Sequence, residues 1–186
     1  MGVIGKDFKF KVVKNFLSKD EIDLANIYCE MTHRTNQTHY SISIFSKVVT
    51  NPDTSYYGDK LAESFLLKKK PLVEKKVGKK ILPTYSFWRM YTKFSALKKH
   101  TDREACEISL SVNIGSDGTS WPIYIDGSEV NLKPGDAVIY LGCDSYHWRK
   151  EFTGDWYASF FLHYVDANGP NKEWEKDKRP YWGVTR

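Results

Sequence analysis

Beyond Pro83 the chain breaks into short alternating or aromatic runs, each closed by a turn signal, and this rhythm constrains the fold more than any other feature. The runs cover 84–92, 106–114, 121–125, 128–132, 136–141 and 156–165. Between them stand Gly115-Ser116-Asp117-Gly118, Asp126-Gly127, Pro134-Gly135 and Gly142. Glycine tolerates positive φ and proline presets the first corner of a turn, so the chain reverses at such points. Many short strands with frequent turns predict an antiparallel sandwich or barrel.

The first half reads differently. Residues 9–13 alternate and predict a short strand. Ser18 and Glu21 form a capping box, and Ile22, Leu24, Ala25, Ile27 and Tyr28 follow at helical spacing, which predicts a helix over 19–31. The polar stretch 32–39 reads as loop, 40–49 as a strand, and Asn51-Pro52-Asp53 as a turn. A second helix is expected over 56–70, burying Leu61, Phe65 and Leu66. Pro71 should either interrupt it or start a new turn there, with 72–79 as a continuation of helix ending near Gly78. The tail from Asp166 is expected to be extended. The chain therefore predicts a mainly β architecture with flanking helices that pack on the outside of one sheet. Its 186 residues suit one domain: helix-rich support over 1–83, a β core over 84–166 and a tail over 167–186.

Composition limits the function classes. Hydrophobic residues make up 41% and aromatics 15%, enough for a packed core rather than disorder. No apolar run reaches the roughly 18 residues of a membrane span, and the N-terminus lacks a secretory pattern. Cys29, Cys106 and Cys143 are odd in number and widely spaced, which argues against a disulfide framework. The expectation is a soluble cytoplasmic protein. The net charge of +5 is uneven: residues 60–99 hold twelve Lys or Arg against Glu63 and Glu74, a local +10 that leaves −5 for the remainder. Such a stretch is either a solvated helix face or a surface for an anionic partner.

One constellation carries chemistry. In His100-Thr101-Asp102 the imidazole and carboxylate are two residues apart, so an extended backbone points both the same way. His147 follows Pro134-Gly135-Asp136 and the apolar run 137–141, a turn and buried strand that can return a second imidazole to the first pair. Two imidazoles and a carboxylate on one face leave open positions on an octahedral ion, the pattern of non-haem Fe(II) oxygenases. Zinc is the rival ion for such a donor set. His163 reads as a core or supporting residue, while His33 and His39 read as surface.

Taken in order, these pieces resemble the 2-oxoglutarate and Fe(II)-dependent dioxygenase superfamily, in particular its prolyl-4-hydroxylase-like branch. The resemblance runs through residues 15–21, Arg89-Met90-Tyr91, residues 97–102, residues 132–136, His147 and residues 161–166. It implies a double-stranded β-helix (jelly roll, cupin-like) with Fe(II) on His100, Asp102 and His147 between two sheets. It further implies 2-oxoglutarate and O2 as cosubstrates, succinate and CO2 as products, and ascorbate as a stimulant. Asp102 favours hydroxylation, because the related halogenases lack this carboxylate. Tyr91 matches the family's pocket tyrosine and Ser159 its helping hydroxyl. The family's usual basic residue for the distal carboxylate is missing, since its position holds Tyr157. Arg149, two residues beyond His147, is the first candidate to replace it and Arg89 the second. Either Arg is also free to contact substrate or to pair with a carboxylate such as Glu107.

The resemblance points to a peptide or protein residue, or a free amino acid, as substrate. Aromatic residues at Tyr56-Tyr57, Trp121-Pro122, Tyr146 and Trp148 form either a groove for it or ordinary packing. A nucleic-acid-modifying oxygenase is a second reading, motivated by the lysines at 68–70, 75–76 and 79–80. A jelly-roll binding protein without catalysis is a third.

Overall fold

The architecture is a computed structural model, which describes residues 4–5, 7–39 and 54–184, with 36–39 as backbone only. The strand expected at 40–49 and the turn at 51–53 lie outside the described residues. Among the described residues, ten strands form two antiparallel sheets. The larger contains β1 (Phe10–Val13), β8 (Ala137–Tyr140), β5 (Ile108–Ser116), β10 (Trp156–Asp166), β3 (Ile81–Thr92) and β2 (Thr54–Tyr57), in that order. The smaller runs β4 (Leu97–His100), β9 (His147–Arg149), β6 (Ile123–Ile125) and β7 (Ser128–Val130). This is a jelly roll, as the strand rhythm and the resemblance imply.

Period-two alternation decides what each face of the large sheet does. Trp88 and Met90 of β3, Leu110, Val112 and Ile114 of β5, and Phe160 and Leu162 of β10 point outward. They pack against the helices α1 (Lys19–His39) and α2 (Lys60–Val77), through Ala25, Cys29, Ala62, Phe65, Leu66, Val73 and Val77. The alternate residues point at the small sheet, and many are polar: Ser109, Ser111 and Asn113 on β5, Ser159 and His163 on β10, Arg89 on β3, all buried. Apolar contact between the sheets is concentrated in two groups. Val138 and Tyr140 meet Ile123, Ile125 and Val130; Tyr91, Trp121, Phe152 and Tyr157 form the other. The larger core thus lies between helices and sheet, and the space between the sheets is shared by two smaller apolar groups and the buried polar side chains.

Four local expectations are corrected. First, α1 continues through 32–39, where Thr32 and Thr35 return their hydroxyls to the carbonyls of Tyr28 and Met31, and Arg34 pairs with Glu30 one turn back. Secondly, residues 54–57 are a strand on the edge of β3, so α2 starts at Lys60, with Asp59 accepting from the Leu61 and Ala62 amides at 3.0 Å each. Thirdly, α2 passes through Pro71 unbroken. A proline inside a helix costs about 3 kcal/mol, but Ala62, Leu66, Val73 and Val77 form one fully buried stripe on both sides of it, and Leu67, whose carbonyl loses its partner, is exposed. Packing of the stripe outweighs the lost bond. Lastly, the tail is not extended. It turns through Lys172–Lys178 and places Lys176, Asp177 and Lys178 in succession at φ of 54°, 54° and 59°.

Candidate metal centre

The small sheet builds the site. His100 ends β4 and His147 opens β9, and the two residues are register partners. Asp102 follows on the loop leaving β4, where its amide donates to the Gly142 carbonyl at 2.8 Å. His100 Nε2 and His147 Nε2 each lie 3.6 Å from Asp102 Oδ1. That is too long for a good hydrogen bond, and it leaves room for an ion about 2 Å from each donor. The imidazoles are oriented from behind: His100 Nδ1 faces the Lys98 carbonyl at 2.7 Å and His147 Nδ1 the Ser145 carbonyl at 3.0 Å. Each carbonyl accepts an Nδ1 proton, which fixes the tautomer and presents a lone pair on Nε2. Two neutral imidazoles and a carboxylate oxygen, preset in this way, fit a divalent ion. Among the described residues, Asp102 with Cys106 and His163 forms a second possible donor group.

Gly142 is required for this arrangement. A Cβ there would stand 2.4 Å from the Cys106 carbonyl oxygen and 2.8 Å from Asp102 Oδ2. Asp102 can approach only because residue 142 has no side chain.

The electrostatics suit metal capture. Burial alone would raise the Asp102 carboxyl, but the facing imidazoles, with the fields of His147 and His163, hold it well below the ordinary carboxylate range. Burial disfavours the His100 cation, yet Asp102 and the Lys98 carbonyl prevail and raise it above an ordinary imidazole. A proton and a cation therefore compete for the same pole of His100. His163 is buried behind the triad, with Nδ1 2.9 Å from Ser109 Oγ, and burial pushes it down to about 4.

A cavity of about 200 Å³ opens on the triad and is lined also by Tyr85, Phe87, Arg89, Tyr91, Leu97, Ile123, Tyr140, Phe161 and His163. Arg89 and Tyr91 thus share the cavity with the three donors. Arg149 lies deeper, between the sheets. Its guanidinium is 4.6 Å from the Trp121 ring and 4.8 Å from the Tyr157 ring. It donates to the Trp121 carbonyl and comes within 3.5 Å of Ser111 Oγ. Arg149 Nε and Ser159 Oγ are buried without a hydrogen-bond partner among the described residues.

Other expectations resolve as follows. Glu107 pairs with neither arginine; its carboxylate accepts from the Asp166 amide and Asn171 Nδ2. His33 is half-buried rather than on the surface, with Nδ1 2.6 Å from Thr54 Oγ1. The aromatic residues do not form one groove. Tyr56 stacks on Trp88 on the helix side at 5.2 Å, Trp121 is inside, and Trp148 stacks on Tyr124 at 5.4 Å on the outer face of the small sheet. Sequence reasoning read Gly142 only as a turn and missed its place beside Asp102, as it missed Tyr140 in the cavity wall and the pair Arg103–Asp177. Only Gly142 carried a signal, as a glycine directly after a buried strand and one residue before Cys143.

No protein-family model matches the chain, and no curated protein matches it by sequence. Solved structures resemble it in fold. A prolyl-4-hydroxylase from Pseudomonas putida superposes with a TM-score of 0.63 at 14% identity, over 86% of this chain and 94% of that one. A viral collagen prolyl hydroxylase from Paramecium bursaria Chlorella virus-1, solved with 2-oxoglutarate, gives 0.63 at 12% identity, over 85% and 96%. An oxidoreductase of the 2-oxoglutarate–Fe(II) oxygenase family from Burkholderia pseudomallei gives 0.63 at 13%, over 88% of each chain. The chain thus has the jelly-roll fold seen in 2-oxoglutarate and Fe(II)-dependent oxygenases, with His100, Asp102 and His147 brought together beside its small sheet.

Proposed function

We propose that the protein is a non-haem Fe(II) oxygenase that couples oxidation of 2-oxoglutarate to hydroxylation of a peptide or protein residue, or of a free amino acid. The observation that carries this reading is the donor set: three side chains converge from β4, its following loop and β9, both imidazoles are preset through Nδ1, and the open side faces a cavity. Iron bound there would supply activation of O2 and of the 2-oxo acid. The protein's own residues do the rest. His100, Asp102 and His147 occupy one face and leave the other for cosubstrate. Tyr91, Leu97, Ile123 and Phe161 narrow the cavity and exclude water from the reacting centre.

Arg149 is our first assignment for the distal carboxylate. It reaches across from β9 and lies against Tyr157, the position from which the family's basic residue would come. Ser159 Oγ, unpartnered on the same inner face, completes the carboxylate site. Arg89 is the second reading, favoured by its place in the cavity wall beside Tyr91. The lysine-rich segment gives less support to a nucleic-acid substrate. Lys68 and Lys69 pair with Glu21, Lys70 and Lys80 with Glu74, and Lys79 with Asp166.

The test is succinate release by the Fe(II)-loaded protein, alone and with panels of peptides and amino acids. Release that depends on 2-oxoglutarate and O2 and is stimulated by one substrate class supports the reading. Full iron loading with no succinate from any mixture contradicts it.

A further inference from the structure

Tyr85 and Cys106 stand beside the metal centre without belonging to its donor set. Tyr85 Oη lies 3.0 Å from Cys106 Sγ. Tyr85 is on the inner face of β3 and lines the cavity with the triad. Cys106 closes the short helical turn Glu104–Cys106 that follows Asp102. Its Sγ, an Asp102 carboxylate oxygen and a His163 ring nitrogen all lie within 4.8 Å of one another. Both partners are held in place. The Tyr85 ring is packed by His163 at 4.5 Å, Tyr57 at 5.1 Å and the Arg103 guanidinium at 4.7 Å. The turn carrying Cys106 is tied back to β3 by the Thr84 hydroxyl, which donates to the Ala105 carbonyl at 2.7 Å. Cys106 is 1% exposed, and it meets the cavity through Tyr85, which lines it.

We propose that Tyr85 and Cys106 form a self-modification site, in which a thioether joins Sγ to the ring carbon ortho to the phenol oxygen. The sulfur already stands at about the separation from that oxygen which an ortho thioether imposes. The proposal rests on the reading of the chain as a 2-oxoglutarate oxygenase, which supplies the oxidant. The S–H bond and one ortho C–H bond break, an S–C bond forms, and the pair gives up two electrons and two protons. One 2-oxoglutarate and one O2 accept them: the 2-oxo acid loses its first carbon as CO2 and takes one oxygen atom to become succinate. The other oxygen atom leaves as water with the two hydrogens from the pair. The new bond would fasten β3 to the turn next to Asp102 and so stiffen the donor loop.

The experiment starts from protein purified without iron and exposes it to Fe(II), 2-oxoglutarate and air, with no other substrate. Succinate and the intact mass after reduction and alkylation are followed together. The expected result is a mass lower by two hydrogens before alkylation, alkylation at Cys29 and Cys143 only, and a Tyr85–Cys106 peptide pair that survives reduction. Cys143→Ser should retain the mass loss and Cys106→Ser should lack it. Succinate release with no loss of hydrogens, or with an oxygen atom gained at Tyr85 or Cys106 instead, overturns the proposal and leaves the oxygenase reading standing. Iron-loaded protein that releases no succinate overturns both.

Discussion

Arg103 holds Asp177 with both arms of its guanidinium, Nη1 to Oδ1 and Nη2 to Oδ2, each at 2.7 Å. Arg103 is the neighbour of Asp102 in the chain, and Asp177 is fully buried in the C-terminal tail. Tyr57 adds its hydroxyl to the same carboxylate. The tail therefore braces the loop that carries the candidate ligand Asp102, and it does so from a left-handed stretch that costs about 1–2 kcal/mol per non-glycine residue.

Asp177→Asn should release that brace. Removing one charge of a largely buried pair leaves Arg103 without its partner and should cost about 2–3 kcal/mol, discounted because Arg103 is partly exposed. Thermal denaturation should show a lower Tm, and Fe(II) affinity should fall with it. An unchanged Tm would show that the tail carries no load.

Gly142→Ala should spare the fold and damage the site. The added methyl meets a backbone carbonyl and the Asp102 carboxylate, and neither can move without displacing the ligand. Metal affinity should drop about 10–100-fold, as when a metal-orienting contact is lost, with the far-ultraviolet circular dichroism unchanged. Wild-type affinity in this variant would count against the placement of Asp102.

The two arginines separate in kinetics. Arg149→Gln should raise the KM for 2-oxoglutarate by about 10–100-fold, the equivalent of a charged hydrogen bond of about 1.5–3 kcal/mol, and leave Fe(II) affinity intact. Arg89→Gln should change that KM little. The reverse ranking would transfer the carboxylate to Arg89.

Acid stability reports on Glu21. Burial opposes its ionisation, but Lys69 at 2.6 Å, the Ser18 amide and Lys68 at 3.0 Å lower it from 4.5 to about 2. A carboxyl lowered on folding stabilises above its unfolded pKa, and that stability is lost as pH falls from 4.5 towards 2. Urea unfolding should show Glu21→Gln less stable than wild type at neutral pH by about 1–2 kcal/mol, after screening by water. The difference should vanish near pH 2. A difference independent of pH would mean the ion pairs contribute nothing.

The sequence exposed the parts of this structure that depend on spacing. The His100–Asp102 step needs only an extended backbone, and the β runs announce themselves through alternation and turns. Ser109, Ser111 and Asn113 interleave with Leu110, Val112 and Ile114, a pattern that already marks one face of β5 as polar. What stayed hidden depends on long-range packing. Pro71 reads as a break because its cost is local and the compensating stripe is not. Residues 54–57 become a strand only because β3 offers an edge. Asp177 has no local signature, since its left-handed neighbours are Lys176 and Lys178 rather than glycines, and only burial against Arg103 and Tyr57 selects that conformation.

The most direct measurement is equilibrium dialysis of Fe(II), under exclusion of air, against the wild type and against His100→Ala, Asp102→Ala and His147→Ala. Three side chains around one ion predict one Fe(II) per chain in the wild type and a loss of binding in each variant, with folding retained. Stoichiometric binding that survives His147→Ala, or no binding by the wild type, would contradict the account.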